Sequence, residues 1–374
     1  MQNVVIAGYV RSPFHFANKG ALIKVRPDDL CGAVVKELVA RTKVNPDDIE
    51  DIIVGTAFPE AEQGFNVARY IGFLAGLPIP VGGMTINRFC GSSMQAIHMA
   101  AGSIQMGAGK AFICAGVESM TRVPMGGFNP MPNPKLAKEW PEVYFSMGTT
   151  AEKVAEKYQV TRSQQEEFAV ESQQKAAVAQ SSGKLDAEIV AYGAVNKDGT
   201  IRADTTKEAL AGLKPAFDAN GSVTAGTSSP LTDGASAVLV CTEEYAKAHK
   251  LDILARIKSI AGAGCEPEIM GMGPVAATKK ALARAGLKIG DIDIMELNEA
   301  FASQSLACIK ELGIDRKKVN LDGGAIAIGH PMGATGARIT GKVASLLRRE
   351  GKKYGIATQC IGGGQGIATI VEAV

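Results

Sequence analysis

Along the chain, short apolar runs rich in β-branched residues alternate with longer stretches in which apolar positions recur every three or four residues. The runs "NVVIAGY", "IEDIIVGTAF", "GMTIN", "KAFICAGV", "ASAVLVC", "IDIMELN", "KVNLDGG" and "YGIATQCI" predict strands. Between them, stretches such as the one carrying Met94, Ile97, Ala101 and Ile104 predict helices with one buried face. Strands alternating with helices predict α/β layers, and the unbroken apolar runs suit buried parallel strands.

The pattern repeats. "PDDIEDIIVGTAF" is echoed by "KIGDIDIMELNEAF", with Asp48 and Phe58 lying 243 residues before Asp291 and Phe301. "GMTINRFCGSSMQAIHMAAGSIQMGAGKAFICAGV" is paralleled by "VNLDGGAIAIGHPMGATGARITGKVASLLRREGKKYGIATQCIG", each a strand, a tight turn, a helix and a strand. Two α/β halves packed about a pseudo-twofold axis are therefore expected. Residues from about Thr121 to Pro230 do not repeat. There "TRVPMGGFNPMPNPKLAKEWP" predicts an irregular loop, followed by two helices, the second capped by Thr161 with Gln164 or Gln165 closing a capping box. The expected division is an N-terminal half of residues 1–119 plus 232–252, an inserted loop domain over 120–231, and a C-terminal half over 253–374.

Composition narrows the functions open to such a fold. Hydrophobic residues at 46% and charged residues at 21% of 374 describe a folded chain of more than one domain. Lys+Arg 40 against Asp+Glu 38 leaves a formal charge of +2, which excludes a binder that works by neutralising nucleic-acid backbone. The N-terminus lacks the basic start of a secretory signal, and no run reaches the ~18 apolar residues of a membrane span, so a cytoplasmic protein is expected. Seven cysteines, an odd number without CxxC or a neighbouring histidine pair, argue against zinc and fit a reducing compartment.

The repeat also selects the chemistry. Cys90 and His330 occupy matching points 240 residues apart, each where a strand gives way to a helix, while Asn298 and Cys360 follow strands of the second half. In layered α/β folds that rim is where ligands sit. A cysteine is ordinarily a small buried hydrophobe, but one at a helix start faces unpaired N–H groups that favour thiolate and could hold an oxyanion. A lone histidine is ordinarily structural, and His15, His98 and His249 keep that role; His330, the repeat-mate of Cys90, is the candidate general base. "GAIAIGHP" lacks the Lys and Ser/Thr of a phosphate loop, and too little chain follows "CIGGGQG" for a dinucleotide fold. Taken singly, Cys360 reads as structural, and Asn298 and Glu299 as helix-start residues.

In the order and spacing of "NRFCGSSMQAI", "LNEAFA", "GGAIAIGHPMGATGAR" and "QCIGGGQGIAT", the chain resembles the thiolase family over essentially its whole length, and most closely bacterial 3-ketoacyl-CoA thiolases of fatty-acid β-oxidation. The resemblance implies a five-layer α-β-α-β-α fold with an inserted loop domain. It implies that Cys90 is the acylated nucleophile, His330 the base that activates it, and Cys360 the acid/base that protonates the departing carbanion and deprotonates incoming CoA. Asn298, through a water, would form one oxyanion hole with His330, and the backbone N–H groups of Cys90 and Gly362 the second. Arg202 is implied near the CoA phosphates, where a solvated surface role fits it equally well; Ser229 would meet the pantetheine, and Met147 and Phe301 would line the tunnel. CoA and acyl-CoA are the implied substrates, with no metal or prosthetic group. A homodimer or homotetramer would follow family habit, while the sequence leaves open whether a β-oxidation partner subunit binds.

Acetoacetyl-CoA thiolases typically carry "HMG" where this chain has "SMG", Ser146 to Gly148, a loss of bulk that favours a degradative enzyme of broader chain length. The alternatives within the superfamily are a biosynthetic acetoacetyl-CoA thiolase and a condensing ketoacyl synthase, which would pair its cysteine with two histidines. A non-catalytic lipid- or CoA-binding relative would be expected to lose one of the four chemical residues, all of which are present.

Overall fold

The computed structural model describes residues 2–374. Its first half runs β1 (Val4–Arg11), β2 (His15–Phe16), α1 (Pro27–Thr42), β3 (Ile49–Gly55), α2 (Val67–Leu74), β4 (Gly82–Ile86), α3 (Ser92–Gln105) and β5 (Ala111–Ser119). The insertion carries α4 (Pro134–Glu139), α5 (Met147–Tyr158), α6 (Arg162–Ser181) and α7 (Lys207–Ala211). The chain then returns through β6 (Thr232–Thr242) and α8 (Glu243–Ala248). The second half is β7 (Ala255–Gly264), α9 (Gly273–Ala285), β8 (Ile294–Leu297), α10 (Ala302–Leu312), α11 (Ala325–Ile328), α12 (Met332–Glu350), β9 (Tyr354–Ile361) and β10 (Gln365–Glu372).

Strand order makes the repeat explicit. The first half is ordered β4-β3-β5-β6-β1 and the second β8-β9-β10-β7, so each half places its first strand beside its last. Within each half only the last strand, β6 or β10, runs antiparallel to its neighbours. The two first strands meet antiparallel, Val5 opposite Arg256 and Ile6 opposite Ala255, the pairing a twofold axis between equivalent strands requires.

The run "KVNLDGG" does not form the strand expected of it: Val319 makes a single bridge to Met295, and Gly323, at φ +83°, turns the chain away. Two long strands absent from the sequence expectation, β7 and β10, pair with each other, and β7 meets β1 at the junction of the halves. β7 alternates small, charged and apolar residues without a continuous apolar run, and β10 follows three glycines, so neither stands out from a loop. In the insertion, Gln164 and not Gln165 closes the capping box with Thr161.

Three cores separate five layers. Leu30, Val34 and Ile71 of α1 and α2 pack on the outer face of the first sheet, and Ala277, Ala281 and Ile309 of α9 and α10 on the outer face of the second. Between the sheets, Met94, Ile97 and Ile104 of α3 meet Ile339, Val343 and Leu347 of α12. These helices approach at backbone distance. A methyl group on Gly336 would strike the backbone of Met94, and Ala337 N–H donates to Ser93 Oγ at 2.8 Å.

Overpacking at that crossing is expected to cost about 1–3 kcal/mol. Gly336→Ala should therefore lower the denaturant midpoint, whereas Gly102→Ala, at an open position of the neighbouring α3, should stabilise by up to about 1 kcal/mol. Equal effects of the two variants in urea titrations would contradict this packing.

Candidate active site

Two turns at equivalent points of the halves meet at one end of the α3–α12 pair. In the first, Asn87 Oδ1 accepts from Phe89 N–H at 2.7 Å, and Phe89 takes a left-handed φ of +43°. Ser92 Oγ accepts from Arg88 N–H at 2.9 Å and donates to the Phe89 carbonyl at 2.6 Å. The serine after the Cys-Gly pair thus locks the turn that presents Cys90, and the Gln359 amide of β9 donates to the Cys90 carbonyl. In the second turn, Gly329 has φ +103°, where a side chain would run into Thr232, and the His330 N–H donates to Thr232 Oγ1 at 3.0 Å.

The imidazole is held on both sides. His330 Nδ1 lies 2.6 Å from Thr335 Oγ1, whose own hydroxyl donates to the Pro331 carbonyl at 3.1 Å. With that proton committed, Thr335 accepts, so Nδ1 is assigned the hydrogen and Nε2 keeps its lone pair. Asn298 Nδ2 donates to Nε2 at 3.4 Å. Asn298 is fixed at the end of β8 by its N–H to the Thr358 carbonyl at 3.0 Å. Its Oδ1 is buried without a hydrogen-bond partner among the described residues.

Cys90, His330 and Cys360 line one cavity of about 240 Å³ together with Met147, Ser229 and Phe301. Cys360 is the penultimate residue of β9 and is fully buried. Gly362 follows in the turn to β10, where Gly363 and Gly364 take left-handed φ values. The space beside Gly362 is bounded by Met147 and Phe89. Arg202 lies elsewhere. It is exposed, its guanidinium sits over the Phe16 ring at 5.1 Å, and it lines a separate small groove that shares Ser228 and Pro230 with the cavity.

Burial decides the protonation states. Desolvation pushes the Cys90 thiol up to about 11, against the opposing pull of the backbone N–H groups of Gly362 and of Cys90 itself. The N–H groups at the helix start do favour thiolate, as expected, but the cost of burying the charge exceeds what they return. Desolvation, and then the charge of Arg338, lower His330 to about 3. Desolvation, and then the neighbouring Cys90, hold the Cys360 thiol well above its ordinary value. The resting site is two neutral thiols beside a neutral imidazole with an unprotonated Nε2, a set able to pass one proton at a time.

Two supports escaped the sequence expectation. Glu118 of β5, fully buried, accepts from the N–H groups of Ala57 and Gly333, each at 2.8 Å, and from Gln63 and Thr56, joining the first half to the start of α12. A carboxylate in an otherwise apolar strand was its available signal. Thr335 carries no such signal. The other histidines are structural, as expected: His98 is buried against Thr369 Oγ1 at 2.8 Å, and His249 stacks on Tyr245 at 4.0 Å.

Comparison with known proteins agrees over the whole chain. The family profile "Thiolase, N-terminal domain" matches residues 4–244, and "Thiolase, C-terminal domain" residues 251–373. The chain is 49% identical to a 3-ketoacyl-CoA thiolase of Shewanella frigidimarina and 46% identical to one of Bacillus subtilis, covering 100% of both chains in each case. Among solved structures it resembles human mitochondrial 3-ketoacyl-CoA thiolase in complex with CoA, with TM-score 0.92, 36% identity and coverage of 100% and 98%. It also resembles the Bacillus anthracis acetyl-CoA acetyltransferase, with TM-score 0.91, 41% identity and coverage of 100% and 99%.

A neutral thiol makes a specific kinetic prediction. Alkylation of Cys90 by iodoacetamide, followed by peptide mass spectrometry, should accelerate about tenfold per pH unit from pH 6 to 9 as the thiolate fraction grows. A rate flat across that range would instead indicate a preformed thiolate–imidazolium pair.

Proposed function

The chain belongs to the thiolase family, and we propose that it cleaves 3-oxoacyl-CoA with CoA to give acetyl-CoA and an acyl-CoA shortened by two carbons. The observation that carries this reading is the meeting of Cys90, His330 and Cys360 in one buried cavity. Breaking a carbon–carbon bond beside a ketone needs a nucleophile to trap the acyl group and an acid for the carbanion, and two thiols with one base supply both.

In this mechanism His330 Nε2 takes the Cys90 proton while Nδ1 stays bound to Thr335. The thiolate attacks the 3-oxo carbon, and the new oxyanion is held by the N–H groups of Cys90 and Gly362, which also oppose the upward shift of the resting thiol. The bond between C2 and C3 breaks. The acetyl-CoA enolate oxygen is held by the protonated Nε2 and by a water on Asn298, and its carbon takes the Cys360 proton. Acetyl-CoA leaves, and Cys360, now a thiolate, deprotonates incoming CoA. The CoA sulfur attacks the Cys90 thioester, and His330 returns its proton to Cys90. A thioester intermediate keeps the acyl group activated throughout.

Met147, Phe301 and Ser229 would border the pantetheine and acyl chain. Arg202, in the adjoining groove, would meet the CoA phosphates. The division into residues 1–119 plus 232–252, 120–231 and 253–374 belongs to the same reading, with the insertion as substrate cover. We further propose a cytoplasmic homodimer. β4 is an open sheet edge, and Phe65, Phe73 and Ile79 beside it are 91%, 49% and 79% exposed, an apolar face that calls for a second copy. A solution mass of one chain would contradict it. Among the described residues no helix is long and apolar enough to cross a membrane.

The similarity to an acetyl-CoA acetyltransferase supports a second reading, a biosynthetic enzyme that joins two acetyl units. Ser146 favours the first: it stands at the cavity wall, its hydroxyl accepting from Thr149 N–H at 3.1 Å to cap α5, and adds little bulk beside Met147. Thiolysis kinetics over a chain-length series should give a higher kcat/KM on six- to ten-carbon 3-oxoacyl-CoAs than on acetoacetyl-CoA. Equal or higher efficiency on acetoacetyl-CoA would move the assignment to the second reading. Cys90→Ser should lower turnover on every substrate by at least about 10³-fold.

A further inference from the structure

The last residues of β9 reach back to the turn that carries the nucleophile. Side chains alternate along a strand, so Ala357, Gln359 and Ile361 face one way and Cys360 the other. Ala357 and Ile361 belong to the apolar core that α3 and α12 form between the sheets, whereas Cys360 packs with Met147, Met270 and Phe301. Gln359 is therefore a fully buried amide in an otherwise apolar row. Its side-chain N–H donates to the Cys90 carbonyl, 269 residues away in the other half. Beside it, Ile361 packs so closely on Gly91 that a methyl group there would strike its side chain.

The Cys90 carbonyl needs such a donor. α3 begins at Ser92, and Gln95 N–H donates to the Gly91 carbonyl at 2.9 Å, so the Cys90 carbonyl lies one residue outside that ladder. The Gly91 N–H donates to the Arg88 carbonyl at 2.9 Å. Both polar atoms of the Cys90–Gly91 peptide are thus held, one from within the turn and the other from β9. A carbonyl only accepts, which assigns the NH2 end of the Gln359 amide to it. The other end, Oε1, is buried without a hydrogen-bond partner among the described residues. Burying a half-paired amide is unfavourable. An apolar side chain would fill the row at lower cost, but it could not hold the turn.

The reaction gives that hold a use. Cys90 bonds to C3 of the substrate and Cys360 protonates C2, the adjoining carbon, so two sulfurs from different halves must address neighbouring atoms in one pose. A misplacement of about 1 Å can slow such a step about 10²-fold. We propose that Gln359 is a positioning residue: through the Cys90 carbonyl it ties the nucleophile's turn to the strand that carries Cys360, and so fixes the relation of the two sulfurs. The proposal rests on the division of work between Cys90 and Cys360 in the reaction above.

Two replacements of similar length test it. Gln359→Met cannot donate, whereas Gln359→Glu can donate while its carboxyl is protonated, the form that burial favours. In thiolysis at pH 6, with folding checked by thermal melts, Gln359→Met should lower kcat about tenfold or more with KM little changed. Gln359→Glu should stay within about threefold of the wild type, because a protonated carboxyl restores the bond to the carbonyl. Hydrogen exchange read by mass spectrometry should quicken over residues 87–91 in Gln359→Met and not in Gln359→Glu. Wild-type kcat in folded Gln359→Met, or unchanged exchange there, would reduce Gln359 to a structural role and overturn the proposal. A tenfold loss in folded Gln359→Glu at pH 6 would overturn it whether or not Gln359→Met folds. Absence of thiolysis by the wild type, with the exchange pattern as expected, would instead count against the reaction.

Discussion

Everything in this molecule depends on how closely α3 and α12 can cross between the two sheets. Gly336 gives α12 room against the backbone of Met94, Gly116 of β5 likewise admits the backbone of Gly333, and Ser93 ties the two helices across the seam. Each helix begins in the turn that carries one reactive side chain, so the crossing sets how Cys90 and His330 face each other. A fold built from a repeat thereby produces a site that neither half contains, and the third group, Cys360, comes from the strand after α12.

The second governing constraint is water exclusion. Burial holds both thiols protonated and the imidazole unprotonated, so the site carries no net charge to solvate before substrate binds. Charge arises only during reaction, where the N–H groups of Cys90 and Gly362 and the acquired proton of His330 are already directed. Interactions of this kind favour the transition state over the ground state. The carboxylates of Glu118 and Glu299 take no part in that chemistry. Their saturated hydrogen bonds fasten the loops on either side of the catalytic turns.

Much of this was legible in the chain. Local apolar runs announce the strands that carry the site, and the internal echo by itself pairs Cys90 with His330, which line one cavity. The failures share a physical origin. β7 and β10 acquire their identity by pairing with each other, and β7 also with β1 across the junction, and their residues alternate too weakly to announce it. "KVNLDGG" has strand-like composition but turns away at Gly323. Cys90 looked like a thiolate because a helix end is a local feature, while the desolvation that outweighs it is supplied by the whole fold. Glu118 acts through contacts from distant segments, which spacing does not encode, and Thr335, only five residues beyond His330, is a common residue on a helix whose hydroxyl marks no role by itself. Arg202 was placed by resemblance alone, as a contact for the CoA phosphates, and it stands in the groove that adjoins the cavity.

The central claim is that two buried thiols divide the work, Cys90 carrying the acyl group and Cys360 moving the proton. Intact-protein and peptide mass spectrometry of Cys360→Ala after mixing with acyl-CoA tests that division most directly. The account predicts one acyl group on Cys90 and no conversion of 3-oxoacyl-CoA to products. An adduct on another cysteine, or undiminished thiolysis by that variant, would contradict it.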